Sequence, residues 1–402
     1  MKSKRVLIYT TYFYPETFKV NDIAFDLAQK GFDVTVITAI PNYPKGKFFE
    51  GYGLFKRRRE VLNGVKVIRL PLIPRGSGSA LGLILNYVSL AIVSFFHAFY
   101  IGFTQKFDCI FVHHVSPIFV GIPAIVVKKI QGIKIFFWNL DCWPEVVVAS
   151  TGIRSPFFFN AILSVVKFIY RRVDVMLIGS KEYHALMIER GVKEEKILHF
   201  PNWAEAIFFD LQKAPLPFAL PTGFNVVFAG NLGGAQDFEN VVNAVELLKN
   251  YDINWVIVGD GRKKTWIEST LKEKGLSEKV SFPGSFDIKY MPALFESADL
   301  LLLSLVDEPI HTIPSKLQAY MSSGTPIVGM LNGGGNELIK EVDCGRSCNA
   351  GDYKNLAKNI LDIYNMPKEE QNRLGKNAAD YCQTYFNPTK CLNNLSTLLE
   401  KN

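Results

Sequence analysis

The chain has 402 residues, 48% of them apolar and 21% charged, with 31 Phe and 16 Tyr. That composition excludes a disordered chain, and that length exceeds what one compact core organises, so two domains of about 200 residues each are expected. A formal charge of +7 with no basic run longer than Lys56-Arg57-Arg58-Arg59 fits a basic face for phosphates or anionic lipid and argues against nucleic acid as a partner.

Residues 4–10 read as an apolar strand. No apolar region with a small-residue cleavage site precedes it, so the cytoplasm is the expected compartment. A loop over 13–21 follows, then a helix over about 22–30 closed by Gly31, and a strand over 33–38; this βαβ spacing predicts a parallel sheet. The segment 40–59 is a long aromatic and basic loop, and a loop of that length inside an α/β domain is expected to serve function. After a strand at 65–70, residues 80–103 carry no formal charge and are long enough to span a bilayer. Asn86, Ser89, Ser94 and His97 interrupt the run and a strand pattern follows at once, so the expectation is a long helix buried in the first domain or leaning on a membrane surface. Strands at 109–113, 134–138, 173–179 and 196–200 alternate with helices near 118–130, 158–171 and from 180.

Between 202 and 221 the pattern lapses and three prolines mark a linker. A second alternating series has strands at 224–229, 255–258, 280–283, 299–304 and up to 329, helices ending near 249, 274 and 297, a helix from Pro314 to Gly324, and a helix starting at Gly333-Gly334-Gly335. The last fifty residues read as helical. The predicted domains are 1–203 and 204–386.

Chemistry-bearing groups follow strands, where open α/β sheets bind ligands. In the second domain these are the turn from Gly230 through Asn231 and Gly233 to Gln236, the turn Gly259-Asp260-Gly261-Arg262, and Pro314-Ser315-Lys316. Exposed N–H groups joined by a lysine and an arginine suit a diphosphate. Neither turn is a G-x-G-x-x-G or Walker A sequence, which counts against an NAD enzyme or an ATPase. A glycine turn by itself serves tight packing as readily as a ligand. In the first domain His113 or His114, Asp141 with Glu145, and Glu16 with Lys19 also follow strands, although a lone strand-end histidine is more often structural. No paired Asp cluster for Mg²⁺ and no His/Cys set for zinc is present, so no metal is expected.

The stretches Phe13 to Asp22, Thr35 to Thr38, Pro41 to Lys47, Gly51-Tyr52, Asp141-Cys142-Trp143-Pro144-Glu145, Pro201-Asn202-Trp203, Gly230 to Gln236, Gly259-Asp260-Gly261 and Pro314 to Met321 together resemble the fourth glycosyltransferase family, closest to its O-antigen and capsule branch of fucosaminyltransferase-like enzymes. The resemblance implies an α/β GT-B fold: two Rossmann-like doubly wound domains facing across a cleft, with the last helix, 387–402, packing back on the first domain. It implies a retaining, metal-independent transferase without a cofactor, moving an N-acetylated hexose, deoxy or not, from a UDP-sugar to a polyprenyl-diphosphate-linked saccharide at the inner membrane face. Donor contacts would fall on Gly230, Asn231, Gly233, Gln236, Gly259, Asp260, Gly261, Arg262, Pro314, Ser315 and Gln318, and acceptor contacts on Glu16, Lys19, Asn21, Asn42, Tyr43, Trp143 and Glu145. Lys316, Asp141, Glu308 and His114 would be catalytic.

The sequence departs from that family in places. Its paired glutamates are replaced by His311 and Ala319, so Asp307 or Glu308 would supply the acidic group near the donor sugar, and Lys19 stands where the close branch has arginine. A non-hydrolysing UDP-sugar 2-epimerase and a non-catalytic nucleotide-sugar or membrane-binding protein are the alternatives with the same architecture.

Overall fold

The computed structural model describes residues 3–151, 155–307 and 313–401, which form two compact units: Met1–Pro201 with Leu392–Asn402, and Asn202–Cys391.

The first unit is built on the strands β1 (Arg5–Thr10), β2 (Asp33–Ala39), β3 (Arg59–Leu62), β4 (Val65–Leu70), β5 (Cys109–His114), β6 (Lys134–Asn139), β7 (Val175–Ile178) and β8 (Ile197–His199). Their order is β3-β4-β2-β1-β5-β6-β7-β8, parallel throughout except for the β3–β4 pair. Central strands such as β1 and β5 are buried along their length, as a sheet covered on both faces requires. The helices are α1 (Lys19–Gln29), α2 (Ala80–Thr104), α3 (Gly121–Gln131), α4 (Glu145–Thr151), α5 (Pro156–Tyr170) and α6 (Tyr183–Glu189).

Helix α2 starts where Ser79 caps it by accepting from the Gly82 N–H. It buries one stripe, Asn86, Leu90, Ser94, Ala98 and Ile101, at the three- and four-residue spacing of a single helix face. Asn86 anchors that face by donating to the Ile73 carbonyl at 2.7 Å. Of the two expectations for this helix, full burial is set aside and an uncovered apolar face remains: Leu81, Leu85, Val88, Ile92, Phe96, Phe99 and Phe103 lie on it, with Phe96 66% and Phe103 72% exposed. Among the described residues α2 is the one helix long and apolar enough to cross a membrane.

The second unit contains β9 (Phe224–Ala229), β10 (Ile253–Val258), β11 (Val280–Gly284), β12 (Leu300–Ser304), β13 (Ile327–Met330) and β14 (Gly345–Cys348), in the order β11-β10-β9-β12-β13-β14 and all parallel. Its helices are α7 (Phe238–Leu247), α8 (Lys264–Glu273), α9 (Met291–Ser297), α10 (Ser315–Met321), α11 (Gly334–Val342), α12 (Tyr353–Tyr364), α13 (Lys368–Tyr381) and α14 (Pro388–Lys401). Strand β9 pairs with β10 on one side and β12 on the other, so the connections diverge at its carboxyl end. That divergence is where open α/β sheets leave a crevice.

Helix α14 passes into the first unit at Leu392, so most of it belongs there. Lys4 donates to the Leu399 and Glu400 carbonyls, and Lys30 donates to the Ser396 hydroxyl at 3.3 Å. Three elements, β3, α4 and β14, were not expected from the sequence. The six cysteines are all buried, and none forms a disulfide.

Candidate functional site

At the carboxyl end of β9 the second unit opens into a cavity of about 370 Å³, within the range of small-ligand sites. Of the expected donor residues, Gly230, Asn231, Gly259, Asp260 and Ser315 line it, as does the expected catalytic residue Lys316. Backbone proximity builds this wall. Gly259 has φ +144°, and a Cβ there would stand 1.9 Å from the Gly230 carbonyl oxygen; Gly230 has φ +146°, and its Cβ would stand 2.5 Å from the Lys316 Cε. Both positions require glycine, because the two turns and the lysine occupy one small volume.

Helix α10 is held by Tyr320, a fully buried residue whose hydroxyl accepts from the Ala229 N–H at 3.0 Å. Lys316 lies one turn earlier on the same face and so meets the end of β9. Its ammonium donates to the Gln236 Oε1 at 2.6 Å and sits 4.0 Å from the centre of the Phe228 ring. Burial pushes its pKa down from 10.5 to about 7. No carboxylate is among those contacts.

The remaining donor residues serve differently. Gln236 orients Lys316, and Ser304 donates to the Gln236 carbonyl. Gly233, Gly261 and Pro314 shape the turns without lining the cavity, and Arg262 is exposed outside it. The expectation for Gln318 is corrected: it is 1% exposed and donates to the Asn202 carbonyl at 3.0 Å. Two residues past Lys316 on a helix is a different face. Glu308 and His311 lie outside the described residues, while Asp307 accepts from Asn332 at 2.7 Å.

Ala319 forms part of the cavity wall, and Glu205, Phe208, Phe286 and Ile288 are among the residues that join it; none of these four was singled out from sequence. Glu205 brings a half-buried carboxylate to the cavity that Ala319 lines. Its signal was masked because it lies in the proline-rich stretch read as linker. Phe208 packs parallel to Phe295 at 5.7 Å, and Phe286 stacks on Phe218 at 5.0 Å, giving flat apolar surfaces.

In the first unit, the Asp141 carboxylate accepts from the Ser116 N–H at 2.8 Å and the Ser116 hydroxyl at 2.7 Å, and Trp143 Nε1 donates to the same hydroxyl at 2.9 Å. Burial raises the Asp141 pKa and the Ser116 bond opposes that rise. Glu145 is held by Arg190, which also donates to the Trp143 carbonyl at 2.6 Å, so Glu145 fixes the turn. His114 is fully buried, bonded through Nδ1 to Asn139 at 2.7 Å, and burial pushes its pKa down to about 4. The catalytic expectation for His114 is corrected on this ground: a sealed neutral imidazole is a core group. His113 is equally buried against Thr10.

Glu16 accepts from the Asn42 N–H at 2.9 Å and the Tyr43 N–H at 2.7 Å, and Asn21 bonds the Glu16 carbonyl and the Tyr14 N–H. Both polar groups therefore hold the loop in place. Burial raises the Glu16 pKa to about 7 against those backbone donors, and one of its oxygens is buried without a partner among the described residues. Asn42 is buried and bonds the Ile40 carbonyl, while Lys19 is half-buried at the start of α1. Tyr43 is 40% exposed and belongs to a cluster that sequence reasoning missed, with Tyr12 stacked on Phe18 at 4.6 Å and Arg75 over the Tyr12 and Tyr43 rings at 5.5 and 5.0 Å.

Two family models match the chain: "Glycosyl transferase 4-like domain" over residues 19–203 and "Glycosyl transferases group 1" over residues 219–381. The putative colanic acid biosynthesis glycosyl transferase WcaI of Escherichia coli is 26% identical over 338 residues, 80% of this chain and 81% of that protein. Among solved structures, sucrose-phosphate synthase from Thermosynechococcus elongatus matches at TM-score 0.70 and 18% identity over 99% of this chain and 98% of that one. Anabaena HepE, solved with UDP and glucose, matches at TM-score 0.64 and 16% identity over 99% and 100%. These likenesses establish the two-domain α/β fold.

Proposed function

We propose that this chain is a group 1 glycosyltransferase, that its second unit holds a UDP-sugar and its first unit the acceptor, and that the transfer builds a polysaccharide of the colanic acid, O-antigen or capsule kind. The carrying observation is Lys316, whose ammonium, short of an anionic partner in its contacts, borders a cavity walled by the Gly230 and Gly259 turns. In this reading the diphosphate lies along Gly230 and Lys316, and the base lies against Phe286 and Ile288. Glu205 accepts the ribose hydroxyls in place of the carboxylate that Ala319 lacks. The UDP bound by the Anabaena protein of similar fold supports the choice of nucleotide.

The donor is an N-acetylated hexose, deoxy or not, and the acceptor is a saccharide on a polyprenyl diphosphate. The bond from sugar C1 to the diphosphate oxygen breaks and a bond from C1 to the acceptor oxygen forms on the same face, with retention. The acceptor proton passes to the departing phosphate. The ammonium of Lys316 stabilises the charge that grows on the leaving group, so the step needs no metal. Asp141, anchored by Ser116, orients the acceptor hydroxyl. Unbroken apolar exposure along α2 suits a peripheral position on the inner membrane face.

Thermal shift and calorimetry with UDP, GDP, ADP and TDP, with and without Mg²⁺, test the donor half. The expected result is stabilisation by UDP alone, indifferent to Mg²⁺ and weakened in Lys316→Ala and Glu205→Gln. Glu205→Gln should leave inorganic diphosphate binding unchanged. Indifference to every nucleotide would overturn the reading, and UDP binding without transfer to any lipid-linked saccharide would favour a non-catalytic binding protein.

A further inference from the structure

A second cavity, of about 170 Å³, lies wholly in the first unit between α2, α4 and α5. Ile84, Tyr87, Phe119, Trp143, Val147 and Ile162 form its walls, and Ser116 is its one hydroxyl contributor from a serine. Apolar cavities of roughly 150 Å³ stay dry and take up a benzene-sized hydrocarbon, so this one has room for about one five-carbon isoprene unit. Nothing in the proposed transfer chemistry uses it.

Two observations say what enters. Its α2 wall includes Val88, which is 43% exposed and belongs to the uncovered face that continues through Ile92 and Phe96. A hydrocarbon can therefore pass from a bilayer along α2 into the cavity without meeting a charged group on that helix. At another edge, Tyr87 neighbours Tyr12 and Arg75, and the Arg75 Nε is buried with no hydrogen-bond partner among the described residues. Trp143 and Ser116 join this wall to the Asp141 carboxylate. The Arg75 guanidinium also donates to the Tyr12 hydroxyl and has the Glu16 carboxylate within electrostatic reach, so of its buried nitrogens only Nε lacks a partner among the described residues. An apolar chamber with that cation near one edge fits a ligand that is hydrocarbon at one end and anionic at the other.

Resting on the acceptor assignment above, we infer that this cavity holds the phosphate-proximal isoprene of the lipid-linked acceptor, with the diphosphate on Arg75. The chain is thereby gripped inside the protein as well as at the membrane.

The test is calorimetry on the full chain in detergent-free buffer with farnesyl diphosphate, farnesol and inorganic diphosphate, together with Ile84→Phe on α2 and Ile162→Phe on α5, which fill the cavity from two sides. Farnesyl diphosphate is expected to bind. A filling variant that excludes three carbons should weaken it roughly 60-fold, at about fourfold per buried CH₂. UDP affinity and the thermal midpoint should hold in both variants, which separates cavity loss from misfolding. Arg75→Gln should weaken farnesyl diphosphate and leave farnesol unchanged. No affinity of the wild type for farnesyl diphosphate, or no effect of either filling variant, overturns the inference. So does binding to anionic phospholipid vesicles that both variants abolish and farnesyl diphosphate does not compete away, since the occupant is then a membrane acyl chain. Failure of UDP binding with farnesyl diphosphate binding intact would sink the transferase reading and leave the cavity assignment standing.

Discussion

On the proposed donor assignment, Lys316 should couple UDP binding to proton uptake. With its pKa held at about 7 by burial, the free protein carries a largely neutral amine at pH 8, about one-tenth protonated by simple titration. A bound diphosphate favours the ammonium and raises that pKa, so binding at pH 8 should take up about 0.9 proton. If the ammonium form alone binds, the protonated fraction sets the affinity, and Kd for UDP should rise about fivefold from pH 7 to 8 and about tenfold more by pH 9. Calorimetry in buffers of different ionisation enthalpy reads the proton count directly. Lys316→Met should abolish the uptake, flatten the profile and cost about 10- to 100-fold in affinity at pH 7, the worth of a hydrogen bond to a charged group. Linkage fixes the sign for the empty protein: the folded-state pKa lies below the unfolded 10.5, so the unfolded chain binds more protons between pH 7 and 10.5 and stability rises with pH across that window. Lys316→Met should then be more stable than the wild type near pH 7, by an amount bounded by about 5 kcal/mol and shrinking toward pH 10. An uptake near zero at pH 8, with wild type as pH-flat as the variant, would refute the reasoning.

Gly230→Ala should lower UDP affinity more than about tenfold and the thermal midpoint by several degrees, because its Cβ would displace the Lys316 side chain and take a φ of +146°. His113 and His114 are held neutral with pKa values of about 3 and about 4, so the stability they leave intact above pH 6.5 is lost as the pH falls below it. Urea titrations should give a slope of up to about 1.4 kcal/mol per pH unit from each between pH 6 and 4.5, and His114→Gln should remove its share; an unchanged slope would contradict the burial argument. Arg190→Ala should cost about 2–4 kcal/mol in urea by stranding Glu145 and freeing the Trp143 turn, with the urea m-value unchanged.

Where one strand or helix carries its own pattern, sequence sufficed. The apolar runs of β1, β5, β6, β9 and β12 and the glycine turns after β9 and β10 were legible because their periodicity and turn chemistry are local. Strand β3 escaped for a correctable reason: Asn63 and Gly64, at φ 48° and 81°, form the two-residue turn that joins β3 to β4, and Asn-Gly between alternating residues is the strongest hairpin signal. The aromatic and basic character of its surroundings hid it. The site was legible as far as Lys316 and the glycines. Gln318 failed because adjacency in a motif does not imply a shared helix face. Glu205 and Phe286 were invisible because they reach the cavity only through tertiary packing. His114 and Glu16 had the right residue types at strand ends, and only burial distinguishes a working group from a held one.

The way the chain closes on itself bears on how such an enzyme can be recombined. Lys4 and Lys30 grip the final turns of α14, so the first unit is made of two stretches of sequence, with the whole second unit spliced between Pro201 and Leu392. A graft that exchanges the second unit between relatives therefore needs two junctions, one on each side of that insertion. A single crossover after Pro201 exchanges the second unit and also replaces the first unit's last helix with one fitted to another body.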